Sequence, residues 1–318
     1  MSRFQVVVTD QVFPSVELER GMLADIEAEL TVAAGGLDEV LQLAQDADGL
    51  LNTYLPLDAA AIGRLRRCRI IARYGIGVDN IDLEAAAEAG IVVTNVPDYC
   101  VEEVVAHTLA LLLGLHRKIV EADAAVREGR WTVEAVRPIP RLSELTVGLV
   151  GFGKIARRVA AALAGLGVSL QVHDPYVAPG PDGPPLVELD ELLRSSDVVS
   201  VHAPLTPQTR GLIGKPQLEM MPAHGLLVNT SRGPLVVLDD LIEALRAGTI
   251  AGAALDVFDA EPLDPERIRG VPHLITTPHI AYYSEAAIRE SQRKAATQVV
   301  KVLTGGEPDY PVGPAVSG

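Results

Sequence analysis

Short apolar runs rich in valine and isoleucine alternate with longer amphipathic stretches along most of the sequence. The apolar runs predict β-strands because they are brief and end at glycine, proline or polar residues. They occupy residues 4–9, 29–34, 49–54, 69–74, 91–96, 145–151, 169–174, 198–203, 226–231, 253–258 and 274–278. Apolar residues at helical spacing predict helices, among them 37–47, 83–90 and 285–305. Strands that alternate with helices are typical of parallel sheets, so the predicted fold class is α/β.

The predicted strands form two groups, separated by a long helical pattern at residues 101–129. Its apolar residues cover more than one stripe, so we expect burial on several sides, at a domain junction or a subunit interface. We therefore predict two Rossmann-like or flavodoxin-like parallel-sheet domains with an interdomain cleft. Residues 1–100 plus 287–318 would form a discontinuous substrate-binding domain, and residues 101–286 a nucleotide-binding domain. The proline- and glycine-rich segment 178–185 is predicted to be a surface loop.

Composition adds constraints on the partners of the protein. Of the 318 residues, 48% are hydrophobic and 22% are charged, which is the profile of a soluble globular protein. The 42 acidic residues outnumber the 27 basic ones, which gives a net charge of −15. This balance argues against a nucleic-acid or anionic-membrane surface, although a local basic pocket for an anionic substrate remains compatible with it.

The cysteines and the apolar segments bear on metal binding and location. Cys68 and Cys100 have neither metal-ligand spacing nor a disulfide pattern, so we predict no metal site and a reducing compartment. The first ten residues, MSRFQVVVTD, predict a strand instead of a signal segment. The most apolar run, residues 104–115, is too short to cross a bilayer and contains His107. We therefore expect a cytoplasmic protein.

A glycine-rich turn, GLVGFGKIARRVAAALAGLG, lies between an apolar strand and an alanine-rich helix. Gly151, Gly153 and Ala156 match the pattern of a dinucleotide-binding turn. The first glycine permits the tight turn, the second lets backbone approach a pyrophosphate, and the small third residue lets the helix pack on the strand. The N–H groups at the helix start would bind the phosphates. Lys154 would add a positive charge there, although an exposed lysine at a helix start is common.

Asp174 stands at the end of the next predicted strand. A carboxylate at this place accepts hydrogen bonds from both adenosine-ribose hydroxyls and repels a 2′-phosphate, so it favours NAD over NADP. The simpler alternative is that Asp174-Pro175 only opens a turn. Because strand, glycines, helix and acid occur in the expected order, we predict NAD as the cofactor.

Arg232, Glu261 and His279 each follow one of the last predicted strands. Parallel strands place their carboxyl ends along one edge of a sheet, so these residues would converge beside the nucleotide. Histidine exchanges protons near neutral pH, and a neighbouring glutamate would fix its tautomer and favour the imidazolium. Arginine can hold a carboxylate with two hydrogen bonds. The plainer alternatives are a histidine satisfied in the core, and an arginine and a glutamate in surface ion pairs.

Segments from residue 73 to beyond 285 resemble, in order, the D-isomer-specific 2-hydroxyacid dehydrogenases. They are RYGIGVDNID, NVPDYCVEEVVAHTLALLL, GLVGFGKIA, HAPLTPQT, VNTSRGPLV, LDVFDAEPL and TTPHIAYYSE. NVPDYC and the residues after His279 are most similar to the C-terminal-binding-protein-like branch. The resemblance implies reversible hydride transfer between NADH and a small-molecule 2-keto acid, with a histidine as acid and base. It also implies a homodimer formed through residues 101–129.

The resemblance assigns roles to individual residues. The catalytic arginine, glutamate and histidine of the family would be Arg232, Glu261 and His279. Cofactor-binding positions would be Gly151, Gly153, Lys154, Ile155, Asp174, Thr209, Thr230 and Asp256. Of these, Asp256 would bind the nicotinamide amide and Thr230 would lie beside the same ring. Substrate-binding positions would be Tyr74, Gly75, Ile76, Gly77 and Tyr282, with the backbone N–H groups of Gly75–Gly77 holding the substrate carboxylate.

The sequence departs from the family pattern in places. Ala106 occupies a position that is often acidic, and Tyr282 stands where the branch has a tryptophan, so substrate preference does not carry over. Glu261, in place of the glutamine of formate dehydrogenase relatives, favours a proton-transferring pair with His279. Two alternatives stay open. One is a NADH-responsive binding protein; the other is a phosphoglycerate dehydrogenase, with Arg73 as a phosphate partner but without a C-terminal regulatory domain.

Overall fold

The computed structural model describes residues 3–178, 180 and 183–314. The chain forms two compact units, one made of Met1–Cys100 and Tyr283–Gly318 and the other of Val101–Tyr282. Within the described residues each unit contains one six-stranded sheet, which confirms the predicted α/β class with two parallel-sheet domains. Part of the predicted surface loop 178–185 lies outside the described residues, as do both ends of the chain. The residues concerned are Met1, Ser2, Pro179, Pro181, Asp182 and 315–318.

The first unit has its sheet in the order β12-β5-β4-β3-β1-β2, and only β12 runs antiparallel to its neighbour. Its strands are β1 Phe4–Val8, β2 Ala28–Val32, β3 Gly49–Asn52, β4 Ile70–Arg73, β5 Val92–Thr94 and β12 Pro311–Val312. Its helices are α1 Glu17–Ala24, α2 Leu37–Ala44, α3 Ala59–Ile62, α4 Leu83–Glu88 and α12 Glu285–Leu303. Every residue of β3 and β4 is buried, because helices cover both faces of a parallel sheet, and their sequences are accordingly apolar runs.

Side-chain caps explain where several helices of this unit begin. Asp58 accepts a hydrogen bond from the N–H of Ala61 at the start of α3, and Asp82 caps α4 in the same way. Ser284 caps α12, which closely matches the helix predicted at 285–305. Such caps satisfy backbone donors that have no partner inside the helix.

The second unit has the strand order β11-β10-β9-β8-β6-β7, and all neighbours are parallel. Its strands are β6 Thr146–Val150, β7 Ser169–His173, β8 Val198–Val201, β9 Leu226–Asn229, β10 Gly252–Leu255 and β11 Leu274–Thr276. Its helices are α5 Val101–His116, α6 Ile119–Arg127, α7 Lys154–Gly165, α8 Leu189–Ser195, α9 Lys215–Met220, α10 Leu238–Ala247 and α11 Pro265–Ile268. Short 3-10 helices lie at Val133–Val136, Leu142–Glu144 and Gly233–Leu235.

The prediction of one continuous helix at 101–129 is wrong. The chain forms α5 and α6, and between them Lys118 adopts a left-handed backbone with φ of 53°. Gly114 and the basic run of residues 116–118 precede this break, but both also occur inside continuous helices, so they did not predict two separate helices. The two helices also differ in environment. Leu112 of α5 is fully buried, whereas more than half of the surface of three α6 residues is exposed: Ile119, Val120 and Val126.

The strand register places the candidate site. Val201, Asn229, Leu255 and Thr276 end β8, β9, β10 and β11 and are paired across the sheet. The segments that follow these four strands therefore leave the sheet side by side at its carboxyl edge. In open α/β sheets ligands bind outside this edge.

Candidate active site

The glycine-rich turn joins β6 to α7. Gly151 has φ of 92°, and a β-carbon there would lie 2.7 Å from the amide nitrogen of Ala203 and 2.8 Å from the carbonyl carbon of His202. A larger residue would therefore both clash and strain the backbone. Gly153 is the N-cap of α7, and a β-carbon built on it meets no atom within 4 Å. Ala156 is buried against the sheet. The turn thus presents backbone to open space at a helix N-terminus, which fits a phosphate group.

Asp174 follows β7, the strand beside β6. Its Oδ2 atom accepts the N–H of Phe152 at 2.7 Å, and its Oδ1 atom accepts the N–H of Tyr176 at 2.9 Å. The carboxylate therefore opens the turn at Pro175 and also supports the glycine-rich turn next to it. Near the same helix start, Lys154 is exposed and Ile155 is half-buried.

The segment after β8 packs against Gly151. His202 Nε2 lies 2.9 Å from the hydroxyl of Ser200, and burial lowers the pKa of His202 to about 4, so its ring is neutral at pH 7. Further along, Thr209 donates its hydroxyl to the carbonyl of Pro204 at 2.6 Å and accepts the N–H of Thr206 at 2.8 Å. The Thr209 side chain thus shapes its own turn.

Arg232 follows β9 in a turn held by a buried asparagine. Asn229 accepts the N–H of Ser231 at 3.0 Å and donates its side-chain amide to the carbonyl of Arg232 at 2.9 Å. At Gly233 a β-carbon would come within 1.9 Å of the Phe258 backbone, so the turn lies directly on the segment after β10. Asn229 was not predicted as a site residue, because an asparagine at a strand end is common.

Thr230 lies in the same turn and is buried. Its hydroxyl is 2.8 Å from that of Thr108 on α5, and Thr108 donates its own proton to the carbonyl of Val104. A hydroxyl has one proton, so Thr230 is the donor to Thr108. This hydrogen bond ties the end of β9 to α5.

His279 and Glu261 are joined by a short hydrogen bond. His279 Nδ1 lies 2.6 Å from Glu261 Oε2, and Glu261 Oε1 accepts the N–H of Phe258 at 2.8 Å. The two side chains are 24% and 32% exposed, so a small molecule can reach the pair. An ionised glutamate only accepts hydrogen bonds, so the proton sits on Nδ1 of the histidine and a reacting group would exchange its proton with Nε2.

Opposing effects set the pKa of Glu261. Burial raises it, but the hydrogen bond and charge of His279, the Phe258 N–H and the positive charge of Arg232 lower it. The net pKa lies below the ordinary glutamate value, so the carboxylate is ionised at neutral pH. Arg232, Glu261 and His279 therefore interact electrostatically, as the order of strand ends predicts.

Tyr282 is the aromatic neighbour of the histidine. Its ring meets that of His279 edge to face, with centroids 6.1 Å apart and an interplanar angle of 82°. Tyr283, the next residue, is 53% exposed and belongs to the other unit. Of the two tyrosines, Tyr282 is therefore the one beside the acid–base pair.

Asp256 is fully buried. Its Oδ1 atom accepts the N–H of Ile280 at 3.0 Å and the hydroxyl of Thr277, and its Oδ2 atom accepts the N–H of Ala281 at 2.9 Å. The carboxylate is thus tied to the segment that carries His279. Thr277 was not predicted as a site residue, because a threonine at the end of a strand does not indicate such a contact.

In the other unit Gly75–Gly77 follow β4. A β-carbon at Gly75 would lie 1.6 Å from Arg73 Nη1, so the guanidinium packs on the glycine. The side-chain amide of Asn95 donates to the carbonyl of Ile76 at 2.6 Å and holds the loop. Among the described residues, no hydrogen bond is donated by the three amides of this loop, which leaves them able to bind a ligand.

The structure does not support a substrate contact by the side chain of Tyr74. The residue is 2% exposed, its hydroxyl donates to buried Glu19 at 2.8 Å, and its ring packs edge to face on Phe13. Burial and the negative charge of Glu19 raise the pKa of Tyr74, so the hydroxyl stays protonated. Side chains alternate between the two faces of a strand, and a motif match alone does not tell which face Tyr74 takes.

Both cysteines, Cys68 and Cys100, are buried thiols, and burial raises the pKa of Cys68 to about 12. Across residues 3–178, 180 and 183–314, no group of three or more His, Cys, Asp or Glu side chains is arranged to hold a metal ion. In that same part of the chain, no helix combines the length and the apolar character needed to cross a membrane.

The fold and the site define a class: an α/β protein with a dinucleotide-type turn and a hydrogen-bonded histidine–glutamate pair at one sheet edge. Sequence comparison narrows the class. Residues 109–281 match the model of the D-isomer specific 2-hydroxyacid dehydrogenase, NAD binding domain. The chain belongs to the D-isomer specific 2-hydroxyacid dehydrogenase family, which confirms the predicted family and NAD as its cofactor. The narrower resemblance to the C-terminal-binding-protein-like branch stays a prediction.

The relatives that the chain matches are named for different substrates. The chain is 38% identical to D-3-phosphoglycerate dehydrogenase of Archaeoglobus fulgidus over 84% of this chain and 51% of that protein. It is 36% identical to glyoxylate reductase of Aeropyrum pernix over 95% of this chain and 92% of that protein. The chain thus spans about half the length of the phosphoglycerate dehydrogenases that it matches. The crystal structure of D-lactate dehydrogenase from Aquifex aeolicus, complexed with NAD and lactic acid, has a TM-score of 0.89 at 26% identity and covers 98% of this chain and 100% of its own.

Proposed function

We propose that this protein is an NAD-dependent D-2-hydroxyacid dehydrogenase, which interconverts a small 2-keto acid and the corresponding D-2-hydroxy acid. The observation that carries the proposal is the 2.6 Å hydrogen bond between His279 and Glu261, with the charge of Arg232 acting on the same carboxylate. These residues follow three neighbouring strands of the sheet that also carries the glycine-rich turn. The names of the relatives, dehydrogenases and a reductase, support the same class of reaction.

The cofactor would bind at the glycine-rich turn. Its phosphates would be held by the turn residues Gly151 and Gly153 and by the first residues of α7, Lys154 and Ile155. The open space beside Gly153 fits this role. Asp174 would accept the ribose hydroxyls and disfavour NADP. When bound, the reduced cofactor NADH would supply the hydride for reduction of the keto acid, and NAD would accept it back in the reverse reaction. Thr209, Thr230 and Asp256 stay proposed neighbours of the cofactor, although their polar atoms already make contacts within the protein.

His279 would move the proton. During reduction its Nε2 atom donates a proton to the oxygen of the keto group, and during oxidation it takes the proton back. Glu261 stabilises the imidazolium and keeps the Nδ1 atom protonated, so the same ring nitrogen faces the substrate in both directions. Tyr282 would form an aromatic wall next to this ring.

The carboxylate of the substrate needs cationic or N–H donors. Arg232 would bind it, or polarise the adjacent carbonyl, through its planar fork of N–H groups. In the first unit the backbone amides of Gly75, Ile76 and Gly77 would donate hydrogen bonds to a carboxylate. Accordingly, we propose residues 1–100 with 287–318 as the substrate-binding domain and residues 101–286 as the NAD-binding domain.

Substrate identity is best tested by turnover. Purified protein should oxidise NADH, followed by its absorbance, with at least one member of a panel of glyoxylate, pyruvate, hydroxypyruvate, a bulky aliphatic keto acid and 3-phosphohydroxypyruvate. The panel separates the chemistries of the named relatives, because only the last compound carries a phosphate. A His279→Gln variant is the control for contaminating activity. If NADH binds but no keto acid is reduced, the dehydrogenase proposal fails and a NADH-responsive binding protein is favoured.

A homodimer is part of the proposal. The region after α5 exposes a group of large apolar side chains, which a monomer would leave in water. They are Ile119, Val120, Val126, Trp131 and Val133. We propose that a second copy of this chain covers them, at an interface that lies partly within the expected region 101–129 and extends past it to Trp131 and Val133. The buried thiols support our further proposal of a cytoplasmic location.

A further inference from the structure

A chain of polar side chains runs through Asp256 to the segment of His279, and two of its members, His107 and Thr277, have no role in the proposed reaction. His107, on the apolar helix α5, places its Nε2 atom 3.0 Å from the hydroxyl of Thr277 and 3.5 Å from Asp256 Oδ1. Thr277 in turn hydrogen-bonds to Asp256. His107 is 21% exposed and the Asp256 side chain is fully buried, so the chain of contacts leads from near the surface into the interior.

The direction of these hydrogen bonds follows from proton counting. The hydroxyl of Thr277 has one proton, and an ionised aspartate can only accept it. The oxygen of Thr277 therefore accepts from the Nε2–H of His107. His107 thus donates to Thr277, and Thr277 donates to Asp256. The negative charge of Asp256 orients both hydrogen bonds. Hydrogen bonds to a buried charged group are stronger than neutral ones, so this arrangement holds its members firmly.

Asp256 also determines the backbone around His279. Its main-chain carbonyl accepts the N–H of His279 at 2.8 Å, and its carboxylate accepts the N–H groups of Ile280 and Ala281. His279 itself has φ of 54°, a left-handed conformation that costs a non-glycine residue free energy. Such a conformation persists only where the surroundings impose it, and the three hydrogen bonds to Asp256 impose it here.

We propose that His107, Thr277 and Asp256 form a positioning chain that sets the orientation of the His279 ring toward Glu261. The inference rests on the proposed function and deepens it, since it assigns His107 and Thr277 to the machinery of the same reaction. Neither residue touches the reacting atoms. Thr277 acts by fixing the carboxylate of Asp256, and His107 acts by fixing the hydroxyl of Thr277. Without them the carboxylate keeps its bonds to the N–H groups of Ile280 and Ala281 but loses its side-chain donor, so the loop that carries His279 is held less firmly.

The sharpest test uses a matched pair at position 277. Thr277→Val keeps the shape of the side chain but removes the hydroxyl, whereas Thr277→Ser keeps the hydroxyl. We expect Thr277→Val to lower kcat roughly 10- to 100-fold, the cost of a small misplacement of a reacting group. KM for the keto acid and the dissociation constant of NADH, measured by fluorescence, should stay within about two-fold of wild type, because uniform binding is untouched. Thr277→Ser should restore kcat.

A second pair tests the far end of the chain. His107→Gln retains an N–H donor at the position of Nε2, and His107→Met removes it. We expect His107→Met to lower kcat in the same manner as Thr277→Val and His107→Gln to retain most of it. Thermal unfolding of all four variants shows whether they are folded. If Thr277→Val is not folded, the pair at position 107 still tests the proposal. Equal kcat values within both pairs would overturn the proposal.

Proton NMR separates this inference from the proposed function. The Nδ1 proton of His279, shared with Glu261, should give a downfield imidazole resonance, assigned by its loss in His279→Gln. We expect the resonance in wild type and Thr277→Ser and its loss or displacement in Thr277→Val. An unchanged resonance in Thr277→Val would refute the positioning role. This readout needs no substrate, so it decides the matter even if no keto acid is reduced and the dehydrogenase proposal fails.

Discussion

The backbone of Phe258 lies so close to Gly233 that a β-carbon at position 233 would be 1.9 Å from the Phe258 carbonyl oxygen. The same Phe258 donates its N–H to Glu261 at 2.8 Å. One backbone unit therefore touches the turn that carries Arg232 and also holds the carboxylate that pairs with His279. The close approach of two loops, and not only the order of the strands, brings the three groups together.

Gly233→Ala should separate these groups. The added methyl overlaps main-chain atoms, which cannot rotate away as a side chain can, so both loops must shift. We expect a loss of about 1–3 kcal/mol in the free energy of unfolding, the usual cost of overpacking. Keto-acid reduction should fall by a larger factor than stability alone explains. Chemical denaturation and initial rates measure the two effects.

Gly165→Ala is the matched control. It changes the last residue of α7, where a β-carbon would meet no atom within 4 Å. We expect unchanged activity and equal or slightly higher stability, because alanine favours a helix more than glycine does. If the two variants behaved alike, the close packing of Gly233 on Phe258 would not matter for the site.

Glu261→Gln should shift the pH profile of reduction. The amide can still accept a hydrogen bond from His279, but it no longer provides a negative charge to stabilise the imidazolium. The pH at which the reductive rate falls to half should move to lower values than in wild type. Initial rates from pH 5 to 9, at saturating NADH, provide the profile. An unchanged midpoint would remove Glu261 from the acid–base pair.

The same residue contributes to acid stability. Its pKa in the folded state lies below the ordinary value of 4.5, so its stabilising effect is complete above that value and is lost as the pH falls through the folded pKa. The free energy of unfolding should therefore differ more between wild type and Glu261→Gln at pH 7 than at pH 3. Urea denaturation at both pH values measures the difference.

Arg232→Ala should weaken catalysis by removing the donor of the substrate carboxylate. We expect kcat/KM to fall by an amount equivalent to about 2–5 kcal/mol, as when one member of a desolvated charge pair is lost. Arg232→Lys keeps the charge but not the planar fork, and should recover only part of the loss. Full activity of the alanine variant in keto-acid reduction would exclude Arg232 from the role.

Asp174→Ala should change the choice of cofactor. Loss of the carboxylate removes the acceptor for the ribose hydroxyls and the repulsion of a 2′-phosphate. We expect weaker binding of NADH and a smaller preference for NADH over NADPH, both measured by fluorescence titration. Asp174→Asn keeps an acceptor for the N–H of Phe152 and separates the ribose contact from support of the turn. A preference that stays as in wild type in both variants would contradict the assignment.

The exposed apolar side chains after α5 predict that the protein is a dimer in solution. Trp131 is 89% exposed, and wild type should sediment as a dimer. Trp131→Ser should weaken dimerisation at least tenfold if the tryptophan is an interface anchor, since such residues carry much of the binding energy. Tyr176→Ser, at a similarly exposed aromatic residue that is not a member of this group, should leave the dimer intact. A monomeric wild type, or equal effects of the two changes, would count against this interface.

The fold was largely predictable because helices cover both faces of each parallel sheet. Strands such as β4 are consequently continuous apolar runs that stand out from their surroundings. Strand ends were less accurate: the run at 226–231 predicts two residues more than β9 contains, because Asn229 bends the chain through its side chain. Similarly, the left-handed residue Lys118 separates α5 from α6 within a stretch that was predicted as one helix.

The site was predictable as far as motifs and strand order reach. Arg232, Glu261 and His279 follow successive strand ends, and the sheet brings them together. The direction of a single side chain was not predictable: Tyr74 precedes a recognisable loop but turns into the core. Nor was the support behind the site, because His107 in an apolar helix and Thr277 at a strand end are ordinary residues until the fold places them in contact.

His279 combines a reactive ring with a left-handed backbone. Apart from glycine, the residues that tolerate this conformation best are asparagine, aspartate and histidine itself. Most amino-acid substitutions at this position would therefore have two effects. They would remove the imidazole, and they would strain the backbone of the loop. Asparagine and aspartate are the exceptions, because they suit this backbone and would remove only the imidazole. On the proposed function, either substitution would leave a folded chain that has lost its proton donor.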